Sequence, residues 1–321
     1  MYCAYHGLDH SEDTPFSPEH VIPYALGGSN QFTIQVCKKI NSDIGTQIDA
    51  RFQSIFPVAY ERFIRNIRSY SGEEPSILFC GTTEFGGQRV KINYEITQED
   101  KNLLLVPFVQ SKRTKEGIRY TVRTTPAHFQ KMLRDIERKY PGKSVTDESG
   151  NVCTAAELLA RVEVQRAVPT IEVTWDPEEW RIASSREFVK VALGTAHFLL
   201  GERYSRSDAA SQLRTFLCAR DDELSSIPIH GNTWPFQVVP NLGVLYHGTK
   251  PDQHLVALLH MDDGLTVLVS LFGEMRGIIQ IADDPTICQY VKPNGGFILT
   301  IDPMTRAFTS RSFEEFLKSF P

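Results

Sequence analysis

Apolar residues recur along this chain at two spacings, and the alternation between them outlines its elements. Residues 47–70, "QIDARFQSIFPVAYERFIRNIRSY", carry apolar side chains at helical intervals, interrupted at Pro57. From 76 to 123 the pattern is β-branched and punctuated by glycine. The segments "SILFCG", "GGQRVKINYEI", "NLLLVPFV" and "GIRYTVR" predict strands. "TPAHFQKMLRDIERKYPGK" predicts a helix with Thr125 as cap, Pro126 in the first turn and a Pro-Gly stop. Further on, "VTDESGNVCTAAELLARVE" holds a turn and a short helix, and "TIEVTW" a strand. "SSREFVKVALGTAHFLLG" gives the strongest helical pattern, with its serines as cap, Glu187 in the first turn and Gly201 as stop. "SDAASQLRTFLCARDDE" reads as its partner helix. "HLVALLHMDDGLTVLVSLFG" reads as a hairpin about Asp-Asp-Gly, followed by strands at "GIIQIA" and "FILTID". No internal repeat is present. The expectation is an α+β protein with a small N-terminal module (1–70), a strand-rich segment with a basic helix (71–145) and a C-terminal α+β region (146–321).

Composition narrows the class. Of 321 residues, 41% are hydrophobic and 23% charged, the balance of a folded globular chain. No apolar run reaches the roughly 20 residues of a membrane span; "FVKVALGTAHFLLG" carries Lys190 and His197 and stops at Gly201. The N-terminus shows no leader pattern, and six cysteines in a chain of this length suit a reducing, cytoplasmic setting. Cys80, Cys153, Cys218 and Cys288 stand singly and are expected to be buried or half-buried. The net charge of −5 excludes a general nucleic-acid coat, yet Lys112 to Lys139 hold nine bases against three acids. Lys112, Arg113, Lys115, Arg119, Arg123 and Arg134 are the candidate nucleic-acid contacts. The same stretch reads equally as the solvated side of a hairpin and helix.

The chemistry concentrates at the N-terminus. Residues 17–30, "SPEHVIPYALGGSN", set Glu19 and His20 before Val21-Ile22, Pro23 and a double glycine. Cys3 and His6 precede them in C-x-x-H spacing, and "VCKKINSDIG" comes after with Cys37, Asn41 and Gly45. This ordered set resembles the HNH endonucleases, the ββα-metal nucleases, whose pattern runs through (D/E)H(I/V)xP, LGG and an Asn to CxxCNxxxG. The resemblance covers about residues 1–50. It implies His20 as general base, Asn30 as the residue that holds its ring, and Glu19 with Asn41 as ligands of one Mg²⁺ or Mn²⁺. Phosphodiester hydrolysis needs such a base for water and such hard oxygens for a cation. Adjacent strand residues point to opposite faces, so Glu19 and His20 face one ion only where the backbone bends. The resemblance also implies a structural Zn²⁺ at Cys3, His6 and Cys37, but Ile40 stands at the fourth position. Either His10 or a water completes the set, or Ile40 packs where the ion was. Asp43 and Asp49 are reserve acids.

Elsewhere the chain carries little readable chemistry. Trp175 and Trp180, and His230, His247, His254 and His260, are expected to be structural. No Walker loop, nucleophile elbow or dinucleotide fingerprint is present. The sequence therefore points to a metal-dependent endonuclease acting on DNA, with RNA left open. The alternatives are a degenerate nucleic-acid-binding or assembly protein, and a nuclease gated by a protein partner or small-molecule activator on the C-terminal region. The last suits an antiviral-defence effector. One module cuts one strand per engagement, so a double-strand break calls for two copies in a homo-oligomer.

Overall fold

The structure is a computed structural model, and it describes residues 1–85, 88–98, 101–105, 108–113, 118–123, 126–139, 151–153, 157, 172–173, 176–233, 245 and 252–319. The fold is α+β. Two compact units emerge: Met1–Pro75 with Asp176–Pro321, and Ser76–Trp175. The sequence drew its boundaries at 70 and 145; the units divide at 75/76 and 175/176, and the two ends of the chain share one core.

The first unit opens with a knuckle in which β1 (Tyr2–Cys3) pairs antiparallel with β2 (Leu8–Asp9). A hairpin comes next: β3 (Phe16–His20) pairs with β4 (Thr33–Cys37), setting Glu19 opposite Ile34 and His20 opposite Thr33. Helix α1 (Lys38–Ile44) runs through a π-helical turn, Gly45–Asp49, into α2 (Ala50–Ser54). Helix α3 (Phe56–Ile64) starts afresh after Ile55, whose extended backbone ends α2. Pro57 thus lies in a first turn, where its missing N–H costs nothing, and it opens a helix where the sequence had suggested an interruption.

The second unit holds β5 (Ile77–Phe85), β6 (Gln88–Ile96) and β7 (Lys101–Leu105), then a hairpin of β8 (Phe108–Arg113) and β9 (Ile118–Arg123). Helix α4 (Pro126–Lys139) and β10 (Glu172–Val173) come after these, and the larger sheet has the order β10-β5-β6-β7. Thr125, the short helix expected near 155–163, Trp175 and His247 lie outside the described residues.

The first unit resumes with α5 (Pro177–Leu200). Asp176 caps it, accepting from the amides of Glu178 and Glu179, and Pro177 sits at its start. Ser184 and Ser185 are therefore not the cap: Asp-Pro-Glu-Glu upstream is the stronger start signal, and both serines are buried mid-helix. Glu187 moves with them, from an expected first turn to the buried centre. Helices α6 (Glu202–Ser205) and α7 (Asp208–Cys218) come next; Cys218 is exposed, whereas Cys153 and Cys288 are buried as expected. Strands β11 (Gly231–Asn232), β12 (His254–Met261), β13 (Gly264–Leu271), β14 (Met275–Ala282), β15 (Gly296–Ile301) and β16 (Phe308–Ser312) build an antiparallel sheet in the order β11-β14-β13-β12-β15-β16. Helices α8 (Pro285–Cys288) and α9 (Phe313–Lys318) complete the unit. No described helix is long and apolar enough to cross a membrane.

One contiguous core joins the N-terminal module to α5 and this sheet. Val21, Ile22, Phe32 and Phe52 share it with Phe188, Val191, Val267 and Leu299. Phe32 stacks on Phe308 and meets Phe198 edge-on, while Phe52 meets Phe188. Trp180 packs against this core, half-buried. The loop after His20 passes so close to its surroundings that only glycine fits at 27 and 28. Gly27 is left-handed (φ +91), and a Cβ there would stand 2.5 Å from the Pro303 backbone; at Gly28 it would collide with Ile22 O.

His254 ties that loop to the sheet. Its fully buried ring accepts the Phe272 amide at Nδ1 (3.1 Å) and donates from Nε2 to Leu26 O (2.8 Å). Burial depresses its pKa to about 4; the Leu26 carbonyl and Asp302 oppose this and Arg65 adds to it. Unfolded, the ring protonates near 6.5. The stability it contributes is therefore full above pH 6.5 and declines as pH falls towards 4, by about 3 kcal/mol in all. Urea unfolding of wild type and His254→Gln should show the variant less stable at pH 7.5, with the gap narrowing towards pH 4.5. A gap that stays constant would show that His254 titrates normally in the fold.

Candidate active site

Strand β3 presents two functional side chains to opposite sides. Glu19 is turned inward, 7% exposed, while His20 is half-exposed. The pairing with β4 runs without a shift through Glu19 and His20, which keeps the strand alternation that sends the two side chains to opposite sides.

His20 Nε2 lies 2.9 Å from Asn30 Oδ1. The carbonyl oxygen only accepts, so Nε2 carries the proton and Nδ1 keeps its lone pair. Burial lowers the His20 pKa below the ordinary imidazole value; the Asn30 bond opposes this, and Lys190 and Arg306 reinforce it. A neutral ring with a free nitrogen is the form that takes a proton from water. The surroundings are aromatic and basic. Tyr24 meets His20 edge-on, and Tyr70, 82% exposed, meets Tyr24 in the same way. Arg306 lies over the Tyr24 ring, its Cζ 3.4 Å from the centroid, and its Nη1 donates to Tyr24 O and Gly28 O. The turn Asp302–Arg306, in which Asp302 Oδ1 accepts the Met304 and Thr305 amides, delivers this arginine with a left-handed backbone (φ 60).

Behind the strand lies a buried charge cluster. Lys190 of α5 donates to Asp49 Oδ1 at 2.8 Å and stands 2.7 Å from Glu19 Oε1. Burial pulls the Lys190 pKa down, but Asp49, Glu19 and Glu187 outweigh it and hold the ammonium charged. Burial lifts the Glu19 carboxyl, Lys190 opposes this and Asp49 adds to it. Glu187 is wholly buried, neither of its oxygens is hydrogen-bonded, and burial pushes its carboxyl well above the usual range, with Lys190 opposing this and Asp49 and Glu19 adding to it.

Asn41 lies on α1, beside the residues that precede Glu19 on β3. Its Nδ2 donates to Ser17 Oγ (2.8 Å) and Pro18 O (3.3 Å), bracing α1 against β3. As folded, Glu19 and Asn41 do not fit the divalent ion that the resemblance implies. Glu19 faces an ammonium, and an ion on the same carboxylate would meet that charge at close range.

A second cluster sits in the knuckle. Cys3, His10 and Cys37 bring one ligand atom each within 4.8 Å of the others. His6 Nδ1 lies 3.1 Å from His10 Nε2 and 3.8 Å from Cys37 Sγ. The sequence pointed to Cys3, His6 and Cys37 with His10 or a water to complete the set; the structure groups His10 with the two cysteines, with His6 beside them, and Ile40 packs half-buried against the core.

Among the basic candidates, Lys112, Arg113, Arg119 and Arg123 lie on β8 and β9, with Lys112 opposite Arg119. Arg134 is exposed on α4, and Lys115 lies outside the described residues. His260 binds Val291 O through Nδ1, a structural role, and His230 is exposed. Sequence reasoning missed Lys190, Glu187 and Arg306. The signal for the first two was a charged pair three residues apart flanking the apolar run that continues through Val191 and Leu193; Arg306 gave none.

No curated protein and no solved structure matches the chain. Residues 3–57 match the family model described as HNH endonuclease. That span contains the knuckle, the β3–β4 hairpin and α1, so the similarity to the HNH endonuclease family lies in the N-terminal module.

Proposed function

We propose that this protein is a nuclease that hydrolyses phosphodiester bonds of DNA at His20. The His20–Asn30 bond within the family-matched segment carries the reading, because it fixes one tautomer and leaves Nδ1 with its lone pair. In the reaction His20 Nδ1 removes a proton from the attacking water, and Asn30 keeps the ring from turning. Arg306 adds positive charge on the same side, where the phosphate gathers charge in the transition state. Tyr70 offers an exposed face for a base beside the scissile strand. Plasmid nicking in Mg²⁺, Mn²⁺ or EDTA tests this. His20→Ala should lower the rate by about a hundredfold or more, and Asn30→Ala should lower kcat more than it raises KM. Well-folded wild type that cuts no DNA form with any divalent ion would overturn the proposal.

The Glu19–Lys190 pairing favours a second reading, in which the module binds nucleic acid without cutting it. It predicts DNA affinity that His20→Ala leaves unchanged in a wild type without activity. In either reading the basic segment of the second unit supplies backbone contacts. Reversing Arg119, Arg123 and Arg134 to Glu should weaken binding, and the log-log salt slope should fall by about 0.9 for each phosphate no longer neutralised. Unchanged affinity would remove these residues from the interface.

The knuckle cluster is proposed as a Zn²⁺ site of Cys3, His6, His10 and Cys37. Two thiolates and two imidazoles are donors zinc takes; Cys3, His10 and Cys37 lie within 4.8 Å of one another, and His6 Nδ1 stands 3.1 Å from His10 Nε2 and 3.8 Å from Cys37 Sγ, against tetrahedral edges of about 3.3–3.8 Å. Elemental analysis should find about one Zn²⁺ per chain. His10→Ala or Cys37→Ser should remove it and lower the melting temperature, whereas Ile40→Val should retain it. Metal-free wild type with unchanged stability would show instead that apolar packing has replaced the ion.

A further inference from the structure

Glu19 is the acid that an HNH module would spend on a divalent ion, yet in this chain its charge is already matched. Lys190 Nζ is wholly buried, 2.7 Å from Glu19 Oε1 and 2.8 Å from Asp49 Oδ1. The ammonium is not a mobile surface group that has drifted onto the acid. It projects from the middle of α5, and the helix is seated tightly on the module. Tyr5 Oη donates to Lys190 O at 3.2 Å, and a Cβ on Gly194, one turn further along, would lie 2.5 Å from Tyr5 Oη and 3.1 Å from Val21. Asp49 reaches the same point from the π-helical turn after α1, and Glu187 approaches from the preceding turn of α5 with both oxygens unpartnered. Three carboxyl groups thus converge on one ammonium: two hold it, and the third stays in reserve.

We propose that Lys190 is the resident cation of this site, that Glu19 serves through it to hold β3 and His20 in place, and that a divalent ion gains Glu19 only where Lys190 is removed. Helix α5, outside the family-matched segment, therefore supplies a positioning residue of the module. With the ammonium gone, Glu19, Asp49 and Glu187 form a set of hard oxygens in a buried pocket, the donors that Mg²⁺ and Mn²⁺ take. The inference rests on reading residues 3–57 as the reactive module. Its test counts bound ions, while the functional proposal is tested by cut DNA, so the two fail separately.

Mn²⁺ binding to the full-length chain, followed by electron paramagnetic resonance, is the experiment. Wild type and Glu19→Gln should bind Mn²⁺ alike. Lys190→Ala should gain one Mn²⁺ site, about tenfold or more tighter than any in wild type, and adding Glu19→Gln should abolish it. A folded Lys190→Ala chain that gains no such site would overturn the proposal. So would a tenfold loss of Mn²⁺ affinity on Glu19→Gln in the wild-type background. Where Lys190→Ala fails to fold, the wild-type and Glu19→Gln comparison decides alone, equal binding sustaining the proposal and loss defeating it.

Discussion

A single buried ammonium holds the N-terminal module to the rest of its unit. Lys190 lies in the core at no exposure, a position that costs several kcal/mol per ion unless opposite charges meet it there. Glu19 and Asp49 meet it from two separate elements, a strand and a helical turn. Removing one partner of such a cluster typically costs about 3–5 kcal/mol, because the other charge is left unmatched. The backbone bears the mark of this requirement. Between α1 and α2 the helix widens into a π turn, which inserts an extra residue and shifts the phase of the next helical turn. Asp49 ends that turn, buried beside Ile48.

The same dependence explains how the module tolerates an altered knuckle. A segment of about fifty residues seldom buries enough apolar surface to stand alone, and small modules commonly lean on a metal. Here the apolar load is carried elsewhere. Phe32 inserts between Phe198 of α5 and Phe308 of β16, and Phe52 packs on Phe188. Ile40, at the position where the family pattern has a cysteine, joins the edge of that core. Stability shared with a six-stranded sheet makes the module less dependent on a full ligand set, and His6 and His10 bring two imidazoles together beside the cysteines.

Local order was legible in the sequence; long-range order was not. The strands of 77–123, the hairpin at Asp262-Asp263 and α7 arise from period and turn chemistry, which act over a few residues. The ordered set from Glu19 to Gly45 pointed to the module because its residues lie close in the chain. Lys190 is another matter. In the sequence it served only to disqualify an apolar run as a membrane span, while its partners lie 141 residues or more upstream. Misplacing the start of α5 at Ser184 compounded this, because it put Glu187 on a solvated first turn instead of in the core. Charged residues at i and i+3 on the buried stretch of a helix need a partner, and the sequence does carry that signal in Glu187 and Lys190 beside an apolar run. Arg306 is harder: a lone arginine in a turn carries no pattern at all.

These contacts bear on how the site answers to the rest of the chain. Three segments far from it in sequence touch residues 19–28. Lys190 grips Glu19, His254 holds Leu26 by its carbonyl, and Arg306 covers Tyr24 and binds the carbonyls of Tyr24 and Gly28. Between them they constrain both ends of the stretch that carries His20. The loop has no slack to absorb a displacement, since Gly27 and Gly28 already sit against Pro303 and Ile22 without room for a methyl group. Any event that shifts α5 or the turn at 302–306 must therefore move the His20 loop or break one of these bonds. A site fastened in this way is coupled to its C-terminal sheet through packing alone, because a shift there changes the free energy of the His20 loop without any direct contact to His20.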